Sequence, residues 1–172
     1  MAVTSSGTAV VTLPADDQIL VTREFAAPKH LVYEAWTTPE LVKRWWASDY
    51  GEVTVADIDL RVGGTWRYVM VTNKEFEVAF HGEFREIVPN ERIVSTEVYE
   101  APSDGSTGDL STGDEDAPIN TVTFTEVNGA TVVTVLTQCP TKDVRDAIIS
   151  SGMESGMQRA YDYLEQVAVS LI

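Results

Sequence analysis

The side chains able to carry covalent, acid–base or metal chemistry are few and scattered. The chain has two histidines, His30 and His81, and one cysteine, Cys139. None has metal-ligand spacing to another, so no metal site is expected. His81 shares strand parity with Glu83 and Arg85, and Phe80 shares it with Gly82 and Phe84. With Phe80 inward, His81 points out, which suits cross-strand pairing better than proton transfer to a bound substrate. Cys139 precedes Pro140 with no base or cation placed beside it, so a plain buried thiol is expected rather than a nucleophile. Asp57 and Asp59 share a face but alternate with Ala56, Ile58 and Leu60, which turns both carboxylates to solvent. Gly63-Gly64 lacks the helix and lysine of a phosphate loop. The residues thus supply no catalytic set and call for no cofactor.

What the chain does concentrate is aromatic and thioether surface. Trp66, Tyr68 and Met70 recur with period two, and Met153, Met157 and Tyr161 recur at helical spacing. Phe80 and Phe124 add to the same face from neighbouring strands. Tyr68 and Tyr161 would supply hydrogen-bonding handles. By pattern alone such a face suits a solid core as well as a pocket. Trp45-Trp46 suits either a plug at the open end of a sheet or a lid over a mouth. Glu97 joins Tyr68 and Tyr161 as an acid–base candidate only if its strand runs against the register of Val94, Thr96 and Val98.

The elements that must position these residues follow from periodicity. Residues 1–17 read as a flexible leader. Gln18–Ala26 is a first strand. Pro28 opens a helix whose face is Leu31, Val32, Ala35 and Trp36. Thr38-Pro39 caps and starts a second helix with Leu41, Val42, Trp45 and Trp46 at the same spacing. Six strands follow: Glu52–Leu60, Thr65–Thr72, Glu75–Ile87, Arg92–Glu100, Thr121–Val127 and Thr131–Cys139. Asn128-Gly129 makes the last two a hairpin. Residues 101–118 read as a disordered acidic loop without calcium-loop ligand spacing. Thr141–Ser150 is a short helix. A long C-terminal helix then buries Met153, Met157, Ala160, Tyr161, Leu164, Val167, Ala168 and Leu171. Gly156 inside it costs about 1 kcal/mol against alanine, which close approach or room for a ligand would offset.

The bulk numbers set limits. One domain, residues 18–172, is expected from 172 residues with 44% apolar and 23% charged composition. A formal net charge of −15 argues against nucleic acid and anionic lipid surfaces as partners. No apolar run reaches bilayer-spanning length. One cysteine allows no internal disulfide and fits a reducing cytoplasm.

Several segments together carry a family resemblance: FAAPKHLVYEAWTTPELVKRWW, VADIDLRVGGTWRYVM, HGEFREIVPNERIVSTE, TVTFTE and SGMESGMQRAYDYLEQVA. Over Ile19 to Val169 the chain resembles the START-like helix-grip superfamily (SRPBCC, Bet v 1-like). Within it, the chain is most similar to the group named for the activator of Hsp90 ATPase. The resemblance implies an α+β fold: a curved antiparallel sheet of six to seven strands, two short helices after the first strand, and a long C-terminal helix over the sheet. It implies a cavity between sheet and helix that holds a small hydrophobic molecule such as a lipid, an aromatic or a polyketide. Trp46, Trp66, Tyr68, Met70, Phe80, Phe124, Met153, Met157 and Tyr161 are then the expected ligand-binding residues. Met157 stands where many members of the group carry tryptophan, a change that would reshape the cavity. Two other readings stay open: a cyclase or dehydratase-type enzyme using the same cavity, and a stress-related co-chaperone or protein-interaction module. Against the co-chaperone stands the short leader where the namesake has a separate domain. A homodimer through the sheet edge or the tryptophan pair is also open.

Overall fold

The computed structural model describes residues 3–6, 9–100 and 116–172. Its strands are β1 (Val3–Ser6), β2 (Ala9–Thr12), β3 (Gln18–Phe25), β4 (Gly51–Ile58), β5 (Thr65–Thr72), β6 (Glu77–Val88), β7 (Arg92–Thr96), β8 (Val98–Glu100), β9 (Ile119–Val127) and β10 (Ala130–Gln138). Its helices are α1 (Lys29–Thr37), α2 (Pro39–Trp45), α3 (Lys142–Ser150) and α4 (Met153–Ser170). The strands join in one antiparallel sheet, ordered β1-β2-β3-β10-β9-β7-β6-β5-β4, with β8 also on β6. This is the expected α+β helix grip with more strands than the six to seven read from the pattern.

Two differences account for the extra strands. The first lies in the leader. Strand β2 pairs with β3, and Ala9 and Val11 are buried. Gln158 of α4 holds the same segment: its side-chain amide accepts from Ala9 N at 3.1 Å and donates to Ala9 O at 2.8 Å. The segment expected to be flexible thus adds two strands to the sheet, β1 at its edge and β2 between β1 and β3. The second difference is a break in the expected strand 92–100. At Glu97 the chain leaves the β7 ladder, and its N–H donates to Pro118 O at 3.0 Å. Of the acidic loop, 101–115 lies outside the described residues, whereas Ala117 and Pro118 are buried against the fold.

The local signals otherwise act as their chemistry requires. Asn128 and Gly129 adopt φ of 53° and 81°, the left-handed pair of a two-residue hairpin turn. Thr141 caps α3 by accepting from Val144 N at 3.2 Å. Pro39 takes the first position of α2, but Thr38 supplies no side-chain cap. Two tethers fix α4 and α1 to the sheet. Arg23, buried on β3, forms ion pairs with Asp162 at 3.1 Å and Glu165 at 3.5 Å. Thr131, fully buried on β10, donates to Ala27 O at 2.7 Å just before α1.

The core is dense at one end of α4. Leu164, Val167 and Ala168 are buried with Phe25, Val32, Phe124 and Val133. Toward its N-terminus the helix keeps Met153, Met157 and Tyr161 only partly buried. No helix among the described residues is long and apolar enough to cross a membrane.

Candidate functional site

Between the inward face of the sheet and helices α1, α2 and α4 lies a cavity of about 510 Å³. Period-two alternation supplies its floor. Trp66, Tyr68 and Met70 of β5 point inward beside Phe80 and Phe84 of β6 and Ile93 of β7. The roof comes from Met153, Gly156, Met157 and Tyr161 of α4. A Cβ added at Gly156 would meet nothing within 4 Å, so this glycine leaves space rather than admitting another backbone. Lining residues reach solvent at Tyr50, Ser151 and Gly152, which marks the mouth. Nearby, Arg159 of α4 pairs with Asp49 through both nitrogens, one at 2.8 Å, and its guanidinium lies 5.5 Å from the Tyr50 ring.

All the expected ligand-facing residues line this cavity except Phe124. Phe124 does point inward, but at the filled end, packed edge-on against Tyr33 at 5.5 Å and Trp36 at 5.7 Å. The tryptophan pair divides its roles. Trp45 is buried, with Nε1 donating to Ala35 O at 2.8 Å, and it packs on Trp36. Trp46 turns to the cavity and meets Tyr68 and Phe80 edge-on at 5.4 and 5.6 Å.

The polar part of the wall centres on Glu97. Its carboxyl lines the cavity, because period-two alternation puts Ile93, Ser95 and Glu97 on the inward side. Asn120 Nδ2 donates to Glu97 Oε2 at 2.7 Å, and Asn120 Oδ1 accepts from Thr137 Oγ1 at 2.6 Å. Asn120 thereby bridges the Glu97 carboxyl and the Thr137 hydroxyl. Burial raises the Glu97 carboxyl above its usual range, and the Asn120 hydrogen bond opposes this in part. Burial also raises the Tyr68 and Tyr161 phenols, helped by the nearby Glu97 charge. Sequence reasoning named Glu97 only conditionally and missed Asn120 altogether. A signal for Asn120 existed: counting back from the Asn128-Gly129 turn sets it opposite Thr137.

The remaining candidates lie away from the cavity. His81 is on the outer face, with Nδ1 3.1 Å from Glu100, which also takes both Arg67 nitrogens. Asp57 and Asp59 are exposed. Cys139 is buried, and its thiol is pushed up to about 11, chiefly by burial, which leaves little thiolate for nucleophilic attack. Among the described residues no cluster of His, Cys, Asp and Glu could hold a metal ion.

A long helix laid over a bent antiparallel sheet, with a hollow between them, defines a START-like helix-grip protein. The sequence profile of the family described as Activator of Hsp90 ATPase homolog 1-like protein matches residues 26–168, and the chain belongs to that family. Solved structures share the fold. A Rhodobacter sphaeroides protein is 22% identical with a TM-score of 0.80, covering 94% of this chain and 98% of its own. A Staphylococcus epidermidis protein is 26% identical with a TM-score of 0.73, covering 100% and 96%. The AHSA1-like protein from Aeromonas hydrophila is 19% identical with a TM-score of 0.64, covering 88% and 93%. Comparison with curated proteins gives no match.

Proposed function

We propose that this protein binds a small, mostly apolar molecule in the cavity between its sheet and α4. The observation that carries the reading is the hollow itself: about 510 Å³ walled by Trp, Tyr, Phe and Met side chains, with few polar groups. That size and that balance of apolar wall and sparse polar anchors are typical of small-molecule sites. Burial of ligand surface would supply affinity at about 25 cal/mol per Å² before the costs of association are subtracted. Glu97 and Asn120 would orient the ligand. Native mass spectrometry of the purified protein, followed by organic extraction, tests this. A co-purifying small molecule, or binding from a panel of lipids and aromatics with quenching of the four tryptophans, is the expected result. No binding across the panel refutes it.

One observation favours a second reading. Glu97, Tyr68 and Tyr161 are ionisable and border the same cavity, and the Glu97 charge raises both phenols. Such a group can move protons on a bound molecule, as a cyclase or dehydratase requires. In that case Glu97→Gln abolishes turnover of the bound compound; turnover that survives the substitution excludes it.

A further inference from the structure

The kind of ligand can be read from the polarity of the cavity wall, given the proposed binding of a small molecule there. Glu97 is the one carboxyl among the described residues that line the cavity, and no lysine, arginine or histidine lines it with Glu97. Asn120 satisfies Oε2. No hydrogen bond from the described residues reaches Oε1. The Glu97 charge acts on Tyr68 on β5, Tyr161 on α4 and Cys139 after β10, none of which is a cation. The cations that act on these same groups are already paired: Arg23 on β3 with Asp162 and Glu165, and Arg145 on α3 with Asp146. A carboxyl so placed lacks its countercharge.

Aromatic faces stand beside it. Trp46 meets both Tyr68 and Phe80, and Trp66 lies tilted against Tyr68 with ring centroids 4.8 Å apart. Their negative π-faces attract positive charge, most strongly where water is excluded. A net charge of −15 raises the local concentration of cations and repels anions. An anionic ligand would meet Glu97 unfavourably, and a neutral one would leave Oε1 and the ring faces without a charged partner.

We infer that the ligand is an organic cation. Its apolar skeleton lies against Trp46, Tyr68 and Phe80, and its protonated amine sits at Glu97. The test uses three probes with one skeleton, 2-naphthylethylamine, 2-naphthylethanol and 2-naphthylacetate, titrated calorimetrically at neutral pH into the wild type and Glu97→Gln. The amine is expected to bind the wild type at least about tenfold more tightly than the alcohol, as a hydrogen bond to a charged group implies. The acetate is expected to be weakest, and Glu97→Gln should erase the preference for amine over alcohol. Alcohol binding in the variant confirms that it is folded. If the amine binds no more tightly than the alcohol, or if Glu97→Gln weakens both alike, the cation assignment fails and small-molecule binding stands. If no probe binds, the cation assignment fails, and the panel of lipids and aromatics decides small-molecule binding separately.

Discussion

Replacing Glu97 by glutamine isolates the cost of burying one ionisable group. Glutamine keeps the shape and the carbonyl oxygen that accepts from Asn120 Nδ2 at 2.7 Å, but it cannot ionise. Burial raises the Glu97 carboxyl above its ordinary value of 4.5. Between that value and the folded pKa, the folded protein holds a proton that the unfolded chain has released. Wild-type stability therefore falls as pH rises through this window, and above the folded pKa the full cost of the buried charge is present. The advantage of Glu97→Gln over wild type should be near zero below the ordinary value. It should grow by up to about 1.4 kcal/mol per pH unit inside the window and then level off. Urea unfolding followed by tryptophan fluorescence, from about pH 4 to about pH 8, gives the stabilities by linear extrapolation. Other titrating groups cancel in the difference between the two proteins. Stability curves that stay parallel over the whole range would refute the burial of this carboxyl.

Three further outcomes follow from the packing. Gly82→Ala would put a methyl group 2.5 Å from Trp66 Nε1 and on top of the Thr96 carbonyl oxygen. It should lower urea-unfolding stability by about 1–3 kcal/mol, and full wild-type stability would contradict the close approach. Thr131→Val removes the hydroxyl that donates to Ala27 O in a fully buried setting and should cost about 1–3 kcal/mol. In a domain of this size that lowers Tm by about 2–4 °C per kcal/mol, and an unchanged melting temperature would show that α1 is held another way. Met157→Trp should narrow the cavity and weaken uptake of 2-naphthylethanol with little loss of stability, because Met157 borders open volume. Equal uptake would place the probe elsewhere.

Periodicity revealed which face a residue occupies, but not how deep it sits along its element. Trp66, Tyr68 and Met70 alternate cleanly and line the cavity, and the α4 stripe packs inward as its spacing implies from Met153 to Ala168, whereas Leu171 falls past the helix end. Phe124 has inward parity too, yet it falls at the packed end, because the hollow depends on where α4 closes down on the sheet at Leu164. Glu97 was obscured by Val94, Thr96 and Val98, β-branched residues that suggest the opposite inward face. The break after Thr96 depends on Gly82, whose missing side chain admits the Thr96 carbonyl from the neighbouring strand. Strand β2 is only four residues long and is fixed by Gln158, far away in the chain, so no local signal announces it.

The methionines allow the most direct test. The chain has four, Met1, Met70, Met153 and Met157, and the last three line the cavity. With ¹³C-methyl methionine labelling, titration of 2-naphthylethylamine should shift the Met70, Met153 and Met157 methyl signals together. It should also give intermolecular NOEs from each to the probe. Methyl signals that do not move up to the solubility limit of the probe, or NOEs confined to surface residues such as Val62 and Phe76, would contradict binding between the sheet and α4.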